Sequence, residues 1–286
     1  NDVKTIFVVY HDIKTEARTQ EMLDLALKFG ETFFVSLSKA DKLDELHNLI
    51  IEKKNYLRFI FKAVASLFKY NPEIVILHDN YCSILLPVIK VFFKSTLIIY
   101  DSSELYIDQK ITSFKTRVFK FANYFERKYL KLADVVIAAN IERANIMKEH
   151  YSLDQVPLVF DNLHIIKDDY DIDECDIKYS KYFHGNKFTI VYAGGIAENR
   201  KTFDLVDAVS NLGPRYNLII AGSATKDEVA KLNKVIQTKK YNNVVYVGFI
   251  SRSELRYLFN KAKISVSAFS QDTLNNMYCA SGKIYE

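Results

Sequence analysis

Cysteine, glycine and proline are all scarce in this chain. Its three cysteines, Cys82, Cys175 and Cys279, are scattered and odd in number, and no C-x-x-C occurs. That excludes a disulfide framework or a cysteine zinc site and fits a reducing cytoplasm. Only 8 glycines and 4 prolines in 286 residues, against 49% hydrophobic residues, exclude a disordered chain. Long apolar runs are also missing. The longest, Ile84–Phe93, is broken by Pro87 and Lys90 and cannot span a bilayer. Ile6–Tyr10 is too short and badly flanked for a signal peptide. The net charge of +4 is mild, so we expect no nucleic-acid partner.

What is present centres on FTIVYAGGIAENRKTFDLVDAV, Phe188 to Val209. Phe188–Ala193 reads as a buried parallel strand, Gly194 and Gly195 end it, and a polar loop carries Arg200 and Lys201. Phe203, Leu205, Val206 and Val209 then recur at helical spacing, so a helix begins near Thr202. Glycines, a basic pair and a helix N-terminus together suit a phosphate; an ordinary strand-to-helix turn with solvated charges is the alternative. A nucleoside-triphosphate P-loop is disfavoured, because Gly195-x-x-x-x-Arg200-Lys201-Thr202 lacks the second glycine.

Elsewhere, strands and helices alternate. Strands are expected at Ile6–Tyr10, Phe33–Leu37, Ile74–Leu77, Leu97–Tyr100, Val135–Ala138 and Val156–Phe160, and helices at Glu21–Phe29, Leu43–Ile51 and Tyr56–Tyr70. In the last helix, Leu57, Ile60, Phe61, Val64, Leu67 and Phe68 form one stripe, read as the face packed on a sheet rather than as a membrane-surface face. Polar residues collect at strand ends: His11, Asp12, His78, Asp79, Asp101 to Glu104, Asn140 and Asn162. Ligands of doubly wound sheets bind there. Leu163–Lys187 is polar and aperiodic and reads as a linker, after which a second alternating series begins. Between Lys110 and Lys131, Lys115, Arg117, Lys120, Arg127 and Lys128 interleave with aromatics, which predicts a basic, membrane-facing surface.

Several blocks carry a resemblance. They are YAGG at Tyr192–Gly195 with Arg200, Lys201, Asp204 and Leu205; NLIIAG at Asn217–Gly222; NVVYVGFISRSEL at Asn243–Leu255; and ISVSAFSQDTLNNMYCASGKIYE to the end. ILHD at Ile76–Asp79, YDSSELY at Tyr100–Tyr106 and ADVVIAAN at Ala133–Asn140 are weaker matches. Together they resemble the retaining glycosyltransferases of family 4. The resemblance implies a GT-B fold, two Rossmann-like parallel-sheet α/β domains facing a cleft. The acceptor-side domain would cover 1–163, and a linker plus donor domain 164–286. Because the chain stops at SGKIYE, inside what reads as a helix start, the second domain is expected to be incomplete.

The implied donor site comprises Gly194, Gly195, Arg200, Lys201 and Gly222, with Lys201 on the diphosphate of a nucleotide-diphosphate sugar. Phe249 and Ile250 lie against the base, Gly282 and Lys283 near phosphate, and Glu286 on the ribose. His78, Asp79, Ser103 and Glu104 are the implied catalytic residues; His11 and Asp12 lie on the acceptor side. Two positions depart from the family pattern: Gly195 stands where many relatives carry Arg, and Ser103 where many carry His. The implied reaction is metal-independent transfer, with no cofactor, to a glycan or lipid-linked acceptor in bacterial surface polysaccharide synthesis. The implied place is the cytoplasm, with an anionic membrane surface as a further partner. A catalytically silent sugar- or nucleotide-binding subunit and a nucleotide-sugar epimerase are the alternatives.

Overall fold

The computed structural model describes residues 3–11, 17–37, 48–50, 55–108, 116–162, 171–183, 185, 187–239 and 242–282. The chain divides into two compact units, Asn1–Asn162 and Leu163–Glu286. Each is a parallel sheet wrapped by helices, the two-domain Rossmann-like α/β class expected from the alternation.

The N-terminal unit runs β1 (Thr5–Val9), α1 (Ala17–Leu27), β2 (Thr32–Ser36), β3 (Asn48–Ile50), α2 (Tyr56–Tyr70), β4 (Ile74–His78), α3 (Leu85–Phe92), β5 (Leu97–Ser102), α4 (Thr116–Tyr129), β6 (Val135–Ala138), α5 (Ile141–Tyr151) and β7 (Leu158–Val159). The strand order is β3-β2-β1-β4-β5-β6-β7, all parallel. β1 and β2 are buried along their whole length, as strands covered on both faces must be. Phe7 and Phe34 stack on neighbouring strands at 5.4 Å, against Met22 and Ala26 of α1.

The C-terminal unit runs α6 (Ile172–Tyr179), β8 (Phe188–Ala193), α7 (Thr202–Leu212), β9 (Tyr216–Ala221), α8 (Lys226–Gln237), β10 (Val244–Gly248), α9 (Arg252–Lys261), β11 (Ile264–Val266) and α10 (Leu274–Met277). Its order is β10-β9-β8-β11, also parallel. Thr225 and Ser251 open α8 and α9 with complete capping boxes, closed by Glu228 and Glu254.

Four expectations need correcting. The helix read over Leu43–Ile51 is a strand where it is described: 48–50 pair with β2 as β3, and residues 43–47 and 51 lie outside the described residues. Strand β7 spans only Leu158–Val159, not Val156–Phe160. Within the supposed linker, 171–183 is helical. Asp171 caps α6, and Cys175 and Tyr179, one turn apart, are buried against Val191, Ile219, Tyr257 and Leu258. Asp171 and Asp173 have Asp-x-Asp spacing, but the Asp171 carboxylate accepts from the Glu174 amide as the cap. Finally, α2 buries Tyr56, Phe59, Ala63, Ser66 and Leu67, and so turns most of its aliphatic stripe outward: Leu57, Phe61 and Phe68 are exposed. The face that is buried instead carries Phe59 and Leu67 together with Tyr56, Ala63 and Ser66.

Candidate functional site

In both sheets the strand order reverses at one place. In the N-terminal unit this switch lies between β1 and β4; in the C-terminal unit it lies between β8 and β11. Connections leave on opposite faces there and open a crevice beyond the carboxyl ends of the strands. The sequence-predicted residues collect at these two places.

At the first, His78 ends β4 with no exposed surface, and Asp79 follows with φ +64°, a conformation that costs a non-glycine residue of order 1–3 kcal/mol. That backbone is held by the Asp79 amide donating to the Asp101 carbonyl at 2.9 Å. The Asp79 side chain is held by the Ser103 amide and hydroxyl, which donate to its Oδ1 at 3.1 and 2.7 Å. Its Oδ2 lies 3.7 Å from His78 Nε2 and 4.0 Å from His11 Nδ1. The Thr19 hydroxyl stands between the imidazoles, 2.8 Å from His11 Nε2 and 3.1 Å from His78 Nε2.

Behind this cluster sits a buried ion pair. Arg18, at the start of α1, donates through Nε to both Asp101 oxygens at 3.2 and 3.1 Å and through Nη2 to Oδ1. It also donates to Asn162 Oδ1 at 2.9 Å and to the Phe160 carbonyl. Burial raises the Asp101 pKa, but the Arg18 and His78 charges outweigh it and hold the carboxyl at about 2. Asp101 Oδ2 lies 2.7 Å from His78 Nδ1. An ionised carboxylate can only accept, so Nδ1 carries a proton, and Nε2 on the far side of the ring faces Asp79 and Thr19. Arg143, buried in α5, donates to the Ser103 carbonyl at 2.7 Å and pairs with Glu104 at 3.4 Å. The structure thus brings His11, His78, Asp79 and Ser103 together, with Glu104 beside them on Arg143. Asp12 lies outside the described residues. Arg18, Thr19 and Arg143 were missed: each is an unremarkable helix residue in the sequence, and each has a partner 40 or more positions away, Asp101, His78 and Ser103 respectively.

At the second place, Gly194 and Gly222 cross. The Gly194 amide donates to the Ala221 carbonyl at 2.9 Å, and the Gly222 amide to Gly248. Gly222 has φ +152°. The chain then makes one short 3-10 turn, Glu198–Arg200, and Lys201 enters α7 in the left-handed region at φ +54°. A cavity of about 120 Å³ lies at the β8–β11 switch, lined by Gly194, Gly195, Arg200, Ser267, Phe269 and Ser281 among others. The Arg200 guanidinium stacks 4.3 Å from the Phe269 ring, which fixes the cation at the cavity wall. Lys201 does not line it; its ammonium pairs with Asp204 at 3.1 Å, half exposed. Phe249 is 77% exposed, while Ile250 packs with Ala193, Ala221 and Leu255. Gly282 directly follows Ser281, and Lys283 and Glu286 lie outside the described residues.

Comparison with known proteins bears on this second place. Residues 176–272 match the family model of glycosyl transferases group 1. The glycosyl transferases group 1 match contains Gly194, Gly195, Arg200, Lys201 and Gly222, together with Ser267 and Phe269 of the cavity. Among solved structures, the chain is similar to HepE of Anabaena in complex with UDP, at 14% identity over 97% of this chain and 79% of that one, with a TM-score of 0.70. Sucrose-phosphate synthase of Thermosynechococcus elongatus gives 12%, 97%, 79% and 0.69. A glycosyltransferase of Rickettsia africae gives 16%, 94%, 73% and 0.69. At such identities the likeness is one of fold. No curated protein sequence matches the chain. The group 1 match and the shared fold support a glycosyltransferase.

Proposed function

We propose that this protein moves a hexose-type sugar from a nucleotide-diphosphate sugar to a glycan or lipid-linked acceptor, with retention at the anomeric carbon and without a metal ion. Bacterial surface polysaccharide synthesis (capsule or lipopolysaccharide), on the cytoplasmic side, is the setting. The observation that carries this is the cavity at the β8–β11 switch, where Gly194, Gly195 and Arg200 meet inside the segment matching glycosyl transferases group 1. Structures of HepE hold UDP and UDP-glucose, which supports a nucleotide-sugar donor here.

In this reading the C–O bond between the sugar and the diphosphate breaks, and the acceptor oxygen bonds the anomeric carbon on the same face. Negative charge grows on the leaving diphosphate. Arg200 and the Gly195 amide stabilise it. The N-terminal unit holds the acceptor, whose hydroxyl is oriented by the partly exposed His11 beside Asp79 Oδ2 and passes its proton to the departing phosphate. Ser103, where many relatives carry His, positions Asp79 rather than the sugar.

A thermal-shift panel of nucleoside diphosphates, followed by incubation with the matching nucleotide sugars, tests the proposal. Stabilisation by one diphosphate and slow release of free sugar are expected. Stabilisation without release would leave a silent binding subunit, and no stabilisation by any diphosphate would overturn the donor site.

A further inference from the structure

The outer face of the N-terminal unit is apolar where solvent would be expected. Leu57 (80% exposed), Phe61 (74%) and Phe68 (57%) on α2, Val91 and Phe92 on α3, and Phe121 on α4 all stand outward. They are continuous. The Phe68 and Phe92 rings meet at 5.7 Å, and a groove of about 910 Å³ lined by Ile60, Val64 and Val118 joins α2 to α4. Single exposed apolar residues need no explanation, but a joined patch across three helices marks an interaction surface.

Charge identifies the partner. Arg58, Lys62 and Lys69 of α2 and Lys120 and Lys128 of α4 are interspersed with these apolar residues, while Lys90 of α3 is already paired with Asp134 at 2.8 Å. α2 and α3 contain no acid, and the single acid of α4, Glu126, is buried. Two copies pairing through this face would set cation against cation. An uncharged apolar partner would leave the cations without counter-charge. We propose that the α2–α3–α4 face docks on an anionic lipid surface, with Leu57, Phe61 and Phe121 entering the headgroup layer and the lysines and arginines facing lipid phosphates. Tyr124, 55% exposed beside Lys128, suits the interface between the two. No described helix is long and apolar enough to cross a membrane, so the contact is peripheral. The proposal rests on the N-terminal unit alone and does not require the glycosyl-transfer reading.

Co-sedimentation of the whole chain with phosphatidylcholine vesicles, with and without phosphatidylglycerol, tests it. Binding is expected only to the phosphatidylglycerol vesicles, weakening from low to physiological salt. Phe61→Ser combined with Leu57→Ser removes exposed side chains and leaves the fold intact, so its thermal midpoint should not change. It should weaken vesicle binding at least about tenfold. Lys62→Glu or Lys120→Glu should each weaken it roughly fivefold or more. Absence of binding to phosphatidylglycerol vesicles at low salt overturns the proposal. So does binding that the Phe61/Leu57 variant leaves unchanged, since the membrane contact would then lie elsewhere. Concentration-dependent dimerisation abolished by that variant, without vesicle binding, would assign the face to a second copy instead.

Discussion

A Cβ on Gly222 would stand 1.8 Å from the Gly194 carbonyl oxygen. Two backbones therefore cross at the ends of β8 and β9 at a distance that only glycine permits, and the obstacle is main chain, which cannot swing aside. Gly222→Ala should destabilise the protein by at least about 2 kcal/mol, read as a lowered thermal midpoint. Gly195→Ala is the contrast: its nearest neighbour atom lies 3.9 Å away and it carries no unfavourable φ. That variant should keep its midpoint but lose nucleoside diphosphate binding, because the added methyl enters the cavity. A Gly222→Ala protein as stable as the parent would count against the crossing.

Arg200 and Lys201 should separate in their effects. Arg200→Ala removes the cation at the cavity wall, and nucleoside diphosphate affinity should fall roughly ten- to a hundredfold while nucleoside affinity hardly changes. Lys201 is tied to Asp204 and sits at φ +54°. Lys201→Gly should therefore be more stable than Lys201→Ala by about 1 kcal/mol, since glycine adopts that backbone freely. Isothermal titration with diphosphate and nucleoside, beside thermal melts, measures both. Equal losses for the two ligands in Arg200→Ala would remove it from phosphate binding.

The Arg18–Asp101 pair should be costly to break from one side. Arg18→Ala leaves a buried carboxylate against His78 and should cost roughly 3–5 kcal/mol. The Asp101 pKa of about 2 lies below its ordinary 3.8, so the carboxyl contributes stability above the unfolded value. That contribution disappears as the pH falls from about 4 through about 2. Chemical denaturation across this range should show the loss in the parent and not in Asp101→Asn. An unchanged acid limb in that variant would place the acid sensitivity on other groups.

Glu126 gives the opposite slope. Burial raises its pKa to about 7, although the hydroxyls of Tyr100 and Tyr151 donate to it at 2.6 and 2.9 Å and lower it in part. The folded state thus holds a proton that the unfolded state releases above about 4.5. Stability is full below that pH and falls as pH rises through about 7, by on the order of 3 kcal/mol. Glu126→Gln should flatten this segment of the stability–pH curve. A parent curve with no fall between pH 5 and 8 would contradict the buried proton.

Periodicity and end-of-strand chemistry determined much of this protein. Apolar runs bounded by glycine and polar residues placed β1, β4, β5, β8 and β9, since a strand covered on both faces must be apolar throughout. The α2 span was legible to the residue, because Asn55 caps it and Asn71 ends it in the left-handed region. The polar strand ends His78, Asp79, Gly194 and Gly195 were visible for the same reason: they sit where an apolar run stops. Only the tertiary structure decided which face of α2 is buried, since both of its faces carry apolar residues and periodicity alone does not choose between them. Residues 48–50 have too short a pattern to distinguish strand from helix, and pairing with β2 settled them. Cys175 and Tyr179 are a helical pair hidden among acids, and their burial depends on α9. Arg18, Thr19 and Arg143 carry no local signal, because their role lies in partners distant along the chain. Local physics writes the elements into the sequence; non-local pairing of charge and surface assembles the site.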